Sequence, residues 1–240
     1  MISPIALKLM EILPDKMIIS LSKKILGYYI NNYANIKVEG KEFIEKIDGP
    51  ILFIGNHLSN SDGLVLDKVL KDKDVTFVAG IKLSSNRLTK LGINIVKTIP
   101  IKPNSADKDA ISNVVKKVKQ GNNVLIFPEG TRSRTGKMIE GKQGILLIAK
   151  LTKVPIVPVG MWGTEKLLPI DDKDMGKEKF QHADVHVKIG KPIKLPTKQQ
   201  GEDKKHYRYR CMDYIMGNIA KLLPESYRGV YSETVQGIDE

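Results

Sequence analysis

A histidine and an aspartate stand five residues apart in NHLSNSD, residues 56–62, directly after the apolar run PILFIG. Five residues of ideal helix turn through about 500°, so His57 and Asp62 would point about 140° apart on a single helix. A strand ending at His57, a tight turn and a helix starting near Asp62 would bring the two side chains together. A carboxylate bonded to one ring nitrogen then leaves the other nitrogen as a general base.

No nucleophile accompanies this pair. The chain has no GxSxG segment, and its single cysteine, Cys211, lies in YRYRCMDYIM, where helical spacing favours a buried structural thiol. A covalent acyl-enzyme therefore has no evident host, and direct transfer is the simpler scheme, in which His57 deprotonates a bound hydroxyl as it attacks a thioester. The alternative is structural, with residues 59–62 as helix-capping residues and His57 as a loop histidine.

A second polar segment, FPEGTRS at residues 127–133, follows the apolar run NVLIF. A glycine-containing turn with Thr, Arg and Ser offers backbone donors, hydroxyls and a guanidinium to a phosphate, and Arg132 is the best clamp. Glu129 is expected to position Arg132 or to bond a substrate hydroxyl. The alternative is an ordinary polar turn with a surface ion pair.

The elements that must position these segments alternate between strand and helix. Strands are predicted at PILFIGN, VTFVAGI, IVKTIPI, NVLIFP, VPIVPV and DVHVKIG, and helices near residues 62–71, 84–91, 105–120, 142–152 and 203–222. This order predicts an α/β fold with a mixed, largely parallel sheet flanked by helices, and functional loops at the carboxyl ends of the strands. The polar stretch from Leu168 to Asp184 is predicted to be a surface excursion.

Residues 1–35 are predicted to form two amphipathic helices broken at Pro14, and residues 36–240 an α/β domain. In the second helix, apolar residues cover more than half of the circumference, with tyrosines near its end. Such a helix suits the headgroup layer of a membrane, and the alternative is a helix packed on the core from two sides. No run approaches the ~20 uncharged apolar residues of a spanning helix.

The net charge of +12 over 240 residues predicts an anionic partner. Only 6% of the residues are aromatic and none interleave with a basic stripe, so a membrane or a phosphorylated substrate is favoured over nucleic acid. Lys8 and Glu11 interrupt the first apolar residues before a signal-peptide core can form, which with one cysteine favours the cytoplasm. His182 and His186 lack metal-site partners, and no metal is predicted.

The segments NHLSNSD, FPEGTRS and VPIVPV resemble, in order and spacing over residues 50–165, the NHxxxxD, FPEGTRS and VPIvPv blocks of the glycerolipid acyltransferase family, which includes 1-acylglycerol-3-phosphate acyltransferases. The ending LPESYRGVY is similar to the tail of many bacterial members. The resemblance implies a peripheral or monotopic enzyme at the cytoplasmic face of the membrane that acylates lysophosphatidate, with no cofactor and with acyl-CoA or acyl-carrier protein as donor. It makes His57 the base and Asp62 its partner.

The resemblance also implies an acceptor-binding site. Its residues would be Asn56, Lys82, Lys102, Glu129, Gly130, Thr131 and Arg132, with Val154, Pro155 and Ile156 in the acyl region. Two blocks depart from the family pattern, because Lys102 stands where an arginine is common and Lys82, with Arg87 nearby, stands in an altered Ala-Lys-Lys-Glu-Leu block. Glycerol 3-phosphate or another lysophospholipid is therefore an alternative acceptor. A non-catalytic protein that binds anionic membranes or nucleic acid is the alternative of another class.

Overall fold

The computed structural model describes residues 14–80, 96–102, 107–171 and 178–234. The first N-terminal helical piece, the helix predicted near residues 84–91, Lys82 and Arg87 lie outside these ranges. The strands are β1 (Ala34–Glu39), β2 (Leu52–Gly55), β3 (Thr76–Gly80), β4 (Thr98–Ile101), β5 (Val124–Ile126), β6 (Ile156–Trp162) and β7 (Ala183–Ile189). The helices are α1 (Asp15–Tyr33), α2 (Glu42–Glu45), α3 (Asp62–Val69), α4 (Lys108–Lys119), α5 (Gly144–Thr152), α6 (Thr164–Leu167) and α7 (Lys204–Ala220).

The seven strands form one sheet in the order β1-β7-β6-β2-β5-β3-β4. Strands β2 to β6 are parallel to one another, while β7 pairs with β6 antiparallel and with β1 parallel. This arrangement confirms the predicted mixed, largely parallel α/β fold. The carboxyl ends of β2, β5 and β6 therefore lie at one edge of the sheet, where loops that carry function are expected. Strand β1 was not among the predicted strands.

Hydrophobic clusters cover both faces of the sheet. Helices α4, α5 and α7 pack on one face, and α1, α2 and α3 pack on the other. The central strand β2 is fully buried over its whole length, because it has neighbours on both sides and helices on both faces. Its carboxyl end is consequently a rigid support for the polar loop that follows.

Helix α1 has one side in the core and another in solvent. Ile18 and Ile30 are buried, and Ile30 belongs to the cluster under α3. An apolar stripe spaced by three or four residues is exposed, formed by Met17, Leu21, Ile25 and Tyr28. The predicted division of the chain at residue 35 and the membrane role of this helix stay predictions. None of the helices within the described ranges has the length and apolar character needed to cross a bilayer.

Candidate active site

His57 and Asp62 meet at the carboxyl end of β2. The strand ends at Gly55, residues 56–61 form a turn, and α3 begins at Asp62, as the spacing predicted. Nδ1 of His57 lies 2.7 Å from Oδ2 of Asp62. The imidazole side chain is 21% exposed, whereas the carboxylate is fully buried. Since Asp62 occupies Nδ1, Nε2 is the ring nitrogen that can exchange a proton with a bound molecule.

The Asp62 carboxylate is fixed by the turn that it closes. Its Oδ2 also accepts hydrogen bonds from the backbone N–H of Leu58 at 2.7 Å and of Ser59 at 2.9 Å. Its Oδ1 is buried and has no hydrogen-bond partner among the described residues. Charge-assisted bonds of this kind are about twice as strong as neutral ones, so the carboxylate has one orientation toward the imidazole.

The serines of this loop anchor it to the segment after β6. Ser59 Oγ donates to the carbonyl oxygen of Leu168 at 2.7 Å, and Ser61 Oγ donates to that of Thr164 at 3.4 Å. Ser61 precedes the first residue of α3, yet its side chain makes no capping bond to the helix. The interpretation of this segment as helix-capping residues is therefore wrong for Ser61. Both serines are fully buried, so they hold the turn in place.

The loop after β5 holds His57 from the other side. The ring of Phe127 stacks on the imidazole, with centroids 4.2 Å apart and planes inclined by 9°. The backbone N–H of His57 donates to Oε1 of Glu129 at 2.9 Å, and its carbonyl accepts from the N–H of Ser133 at 2.8 Å. Backbone and ring of the histidine are thus both fixed by the FPEGTRS segment. Phe127 was not predicted as a site residue, although it opens that motif.

Glu129 has a different role from the predicted one. Its carboxylate is fully buried and joins two backbone segments, since Oε1 accepts from His57 and Oε2 accepts from the N–H of Ile139 at 3.0 Å. Its hydrogen bonds go to these two backbone groups and not to Arg132, and its assignment to the acceptor site stays a prediction. Burial raises the pKa of Glu129 to about 7. Its carboxylate supports the backbone of the candidate base.

The raised pKa of Glu129 predicts a pH-dependent stability. The folded protein holds this proton up to about pH 7, whereas the unfolded chain releases it near pH 4.5, so the free energy of unfolding falls as the pH rises between these values. The loss is about 3 kcal/mol at the rate of about 1.4 kcal/mol per pKa unit. Urea unfolding at pH 5 and pH 8 should show most of this loss in the wild type and not in Glu129→Gln. Equal losses in both proteins would contradict it.

Asn56 is also a structural residue here. Its side chain is buried and makes a reciprocal pair with the backbone of Met161, donating to the carbonyl at 2.7 Å and accepting from the N–H at 2.8 Å. It thereby joins the end of β2 to β6. Both polar groups of the amide are engaged in the interior, and the predicted contact of Asn56 with the acceptor stays a prediction.

Arg132 is linked to the His57 loop through Glu178, a residue that was not predicted to belong to the site. Gly130 and Thr131 are exposed, but Arg132 is only 17% exposed and its Nη1 lies 3.0 Å from Oε1 of Glu178. Glu178 is 4% exposed, so the interpretation as a surface ion pair is wrong. Oε2 of Glu178 accepts from Nδ2 of Asn60 at 2.6 Å. The structure thus brings Arg132, Asn60 and Glu178 together.

The predicted surface excursion from Leu168 to Asp184 accordingly returns to the site. Leu168 and Glu178 are buried, and Phe180 stacks on Tyr29 of α1 with centroids 5.1 Å apart. The polar composition of this stretch did not indicate a return to the site, because the burial of Glu178 depends on its contacts with Arg132 and Asn60. Residues 172–177 lie outside the described ranges.

Lys102 is at the same edge of the sheet but not beside His57. It follows β4, which is separated from β2 by β5 and β3. With strands about 4.8 Å apart, Lys102 lies about 14 Å from the end of β2. Its side chain is exposed, and its backbone N–H donates to Asp107. The grouping of Lys102 with Arg132 around one phosphate stays a prediction.

The residues expected in the acyl region lie at the opposite edge of the sheet. Ile156, the first residue of β6, pairs with Leu52 at the start of β2 and is buried in the core, and Val154 and Pro155 precede it. His57 is five residues beyond Leu52, a distance of about 16 Å along an extended strand. These three residues do not line the site at His57.

The carboxyl-terminal segment braces the site from behind. The N–H of Met138 donates to the carbonyl of Tyr227 at 2.8 Å, and the carbonyl of Met138 accepts from the N–H of Val230 at 3.4 Å. The next residue, Ile139, donates to Glu129, which in turn accepts from His57. The segment resembling the family's tail thus connects to the candidate base through hydrogen bonds at Met138, at Ile139 and at Glu129.

Replacing Gly229 tests this bracing. It has φ +55°, and a Cβ at this position would overlap the carbonyl oxygen of Met138. Gly229→Ala should destabilise the protein by about 2 to 4 kcal/mol, from left-handed strain and overpacking together. Gly201→Ala is the matched control, since Gly201 has φ +77° in open space, and should cost only the strain of about 1 kcal/mol. Thermal unfolding measures both, and equal losses would contradict the bracing.

His182, His186 and Cys211 have structural surroundings. His182 stacks on Tyr33 and His186 stacks on Trp162. Cys211 is buried in α7, as predicted. Within the part of the chain that the structure describes, no cluster of His, Cys, Asp and Glu could hold a metal ion.

Comparison with known proteins agrees with this geometry. The Acyltransferase family model matches residues 35–162, more than half of the chain. A chloroplastic 1-acyl-sn-glycerol-3-phosphate acyltransferase of Brassica napus is 30% identical over 159 residues, which cover 65% of this chain and 44% of that protein. A probable 1-acyl-sn-glycerol-3-phosphate acyltransferase of Mycoplasma genitalium is 31% identical over 173 residues, covering 69% and 63%. The matches span less than two thirds of the length of these relatives.

A solved structure extends the similarity beyond the matched domain. The 1-acyl-sn-glycerophosphate (LPA) acyltransferase PlsC of Thermotoga maritima superposes with a TM-score of 0.62 and 25% identity, over 87% of this chain and 80% of that one. The family match contains β1 to β6, the His57–Asp62 pair and the FPEGTRS loop. By its sequence, its sheet and the loops at the sheet edge, this chain belongs to the acyltransferase family.

Proposed function

We propose that this protein transfers an acyl chain from a thioester donor, acyl-CoA or acyl-carrier protein, to the 2-hydroxyl of lysophosphatidate and so forms phosphatidate. The observation that carries the proposal is the 2.7 Å contact between His57 and a fully buried Asp62 at the sheet edge, with Arg132 joined to the same loop through Glu178 and Asn60. The names of the relatives support lysophosphatidate as the acceptor.

The reaction follows from the orientation of the imidazole. Nε2 of His57 takes the proton of the acceptor hydroxyl as that oxygen attacks the thioester carbon, while Asp62 stabilises the resulting imidazolium. The tetrahedral intermediate collapses with cleavage of the C–S bond, and the departing sulfur takes the proton from the His57 imidazolium and leaves as a thiol. Bonds and charges balance without a cofactor or a covalent enzyme intermediate. The Arg132 guanidinium would hold the acceptor phosphate.

Peripheral binding to the anionic, cytoplasmic face of a membrane is part of the same proposal. It is supported by the exposed stripe of Met17, Leu21, Ile25 and Tyr28 on α1 and by the net charge of +12. Apolar side chains beside lysines are the composition of helices that lie in the headgroup layer. Such a position would present the enzyme to an acceptor that is itself a membrane lipid.

An acyl-transfer assay with the full chain tests the proposed function. Lysophosphatidate in anionic lipid–detergent micelles is supplied with acyl-CoA or with acyl-carrier protein, and phosphatidate and free thiol are measured. We expect both products in equal amounts with at least one donor. If neither donor supports transfer, the proposal is overturned.

A panel of acceptors distinguishes the other candidates. Glycerol 3-phosphate and a lysophospholipid without a terminal phosphomonoester should be acylated more slowly than lysophosphatidate. Glycerol 3-phosphate or another lysophospholipid is the second candidate, because the blocks around Lys82 and Lys102 depart from the family pattern. Salt-sensitive binding to duplex DNA without turnover would instead favour the non-catalytic alternative.

A further inference from the structure

Glu178 connects two parts of the site that are far apart in sequence. One carboxylate oxygen pairs with Nη1 of Arg132 at 3.0 Å, and the other accepts from Nδ2 of Asn60 at 2.6 Å. The Glu178 side chain is only 4% exposed, and its carboxylate is already paired with these two groups before any molecule binds. Because both carboxylate oxygens of Glu178 are hydrogen-bonded and buried, the side chain is held in one position.

The ion pair with Glu178 fixes the orientation of the Arg132 side chain but uses only part of its hydrogen-bonding capacity. Arginine has five N–H donors in a planar fork and a long side chain that loses conformational freedom whenever it binds. Glu178 engages one of its terminal nitrogens and leaves the other donors of the guanidinium for a phosphate. Arg132 is therefore oriented before an acceptor arrives, which lowers the entropic cost of binding.

The second partner of Glu178 lies in the turn that carries the candidate base. Asn60 stands between His57 and Asp62, and the neighbouring Ser59 and Ser61 anchor the same turn. In lysophosphatidate the phosphate and the reacting hydroxyl are separated by a short, fixed series of bonds. The distance between Arg132 and His57 must match that separation, and small misplacements of reacting groups cost large factors in rate.

The segment that carries Glu178 is itself anchored to the amino-terminal helix. Phe180 stacks on Tyr29 with planes inclined by 12°, and His182 stacks on Tyr33 with planes inclined by 20°. These stacks place two residues on the helix side within four positions of Glu178. The carboxylate thus reaches the site from a fixed support.

We propose that Glu178 is a positioning residue of the acceptor site, which sets the separation between the phosphate held by Arg132 and the hydroxyl presented to His57. It would thereby make the site selective for acceptors with a phosphomonoester. The inference rests on the proposed function, and it adds a residue from outside the motifs that mark the family.

Binding of glycerol 3-phosphate, measured by titration calorimetry, tests this without requiring turnover. Glu178→Gln should weaken binding about tenfold, the scale of one charge-assisted hydrogen bond, and Arg132→Ala should weaken it at least as much. Because Glu178 acts through Arg132, the double variant should bind within about twofold of Arg132→Ala. Unchanged or tighter binding in Glu178→Gln would overturn the inference, as would independent losses in the double variant or absence of binding by the wild type.

Glu202→Gln is the matched control. The Glu202 side chain is 3% exposed and pairs with Arg210 at 2.8 Å, and its other hydrogen bond is to the N–H of Gln199, so its loss removes a comparable acid–arginine pair that makes no hydrogen bond to the His57 loop. It should lower the melting temperature and leave glycerol 3-phosphate binding within about twofold of the wild type. A loss of binding equal to that of Glu178→Gln would show a general structural effect and overturn the inference.

Kinetics with lysophosphatidate separate this inference from the proposed function. Glu178→Gln should raise KM about tenfold with a smaller fall in kcat, and a purely structural role would lower kcat without raising KM. If the wild type acylates lysophosphatidate and Glu178→Gln has an unchanged KM, the inference fails while the proposed function stands. If the wild type acylates no acceptor, the proposed function fails and the binding measurements still decide the role of Glu178.

Discussion

Replacing His57 with alanine should reduce kcat about 10³-fold and leave the protein folded. A positioned general base contributes about 10²- to 10⁴-fold, and no other described histidine lies at this edge in contact with Asp62. The imidazole is partly exposed and packs on one face of Phe127, so its removal takes away little buried contact. Steady-state transfer to lysophosphatidate measures the loss, and circular dichroism checks the fold.

His186→Ala is the control for this variant. His186 also stacks on an aromatic ring, that of Trp162, with centroids 4.7 Å apart, but it has no acidic partner in the described contacts. Its replacement should remove a similar stacking contact and leave kcat within about twofold, as expected for a site without a chemical role. A well-folded His57→Ala protein that retains transfer would rule out the proposed mechanism.

Replacing Asp62 with asparagine should reduce kcat by about 10² to 10⁴ while the turn stays formed. The amide oxygen can still accept from Leu58 and Ser59 and from Nδ1 of His57, but it offers no negative charge to the imidazolium that forms during transfer. The loss should therefore appear in kcat and leave the KM for lysophosphatidate near its wild-type value. A kcat within about twofold of the wild type would contradict the role of Asp62.

Asp62→Ala separates the catalytic from the structural contribution. Alanine leaves the buried N–H groups of Leu58 and Ser59 without an acceptor, at about 1 to 3 kcal/mol each. Urea unfolding should show a loss of about 2 to 6 kcal/mol for Asp62→Ala and a clearly smaller one for Asp62→Asn. Equal destabilisation of both variants would show that the two backbone bonds are not what the carboxylate contributes to the turn.

The central part of the fold and the contact between His57 and Asp62 were predictable because their determinants are local. Short apolar runs alternate with helical stretches, and buried parallel strands have that pattern. The spacing of His57 and Asp62 is incompatible with one helix and compatible with a strand, a turn and a helix, which is the observed arrangement. Strand β1 was missed, since only half of its residues point toward the protein and its apolar pattern is weak.

The roles of the polar residues around this pair depended on tertiary structure. Glu129 lies three positions before Arg132 in the sequence, which suggested an ion pair, but burial turns it toward two backbone N–H groups. The partner of Arg132 is Glu178, whose position depends on how the chain returns from α6 to β7. No pattern over a few residues encodes such a return, because it is set by packing against α1.

The sequence alone determined the chemistry at the end of β2 and the order of the elements that support it, since residue type, spacing and periodicity act over a few positions. The tertiary structure decided which polar side chains face the site and which make hydrogen bonds in the interior. Lys102 shares the sheet edge with His57 yet is held about 14 Å away by two intervening strands. Strand order is a property of long-range pairing and burial, and the same long-range packing brings Arg132, Asn60 and Glu178 together at the proposed acceptor site.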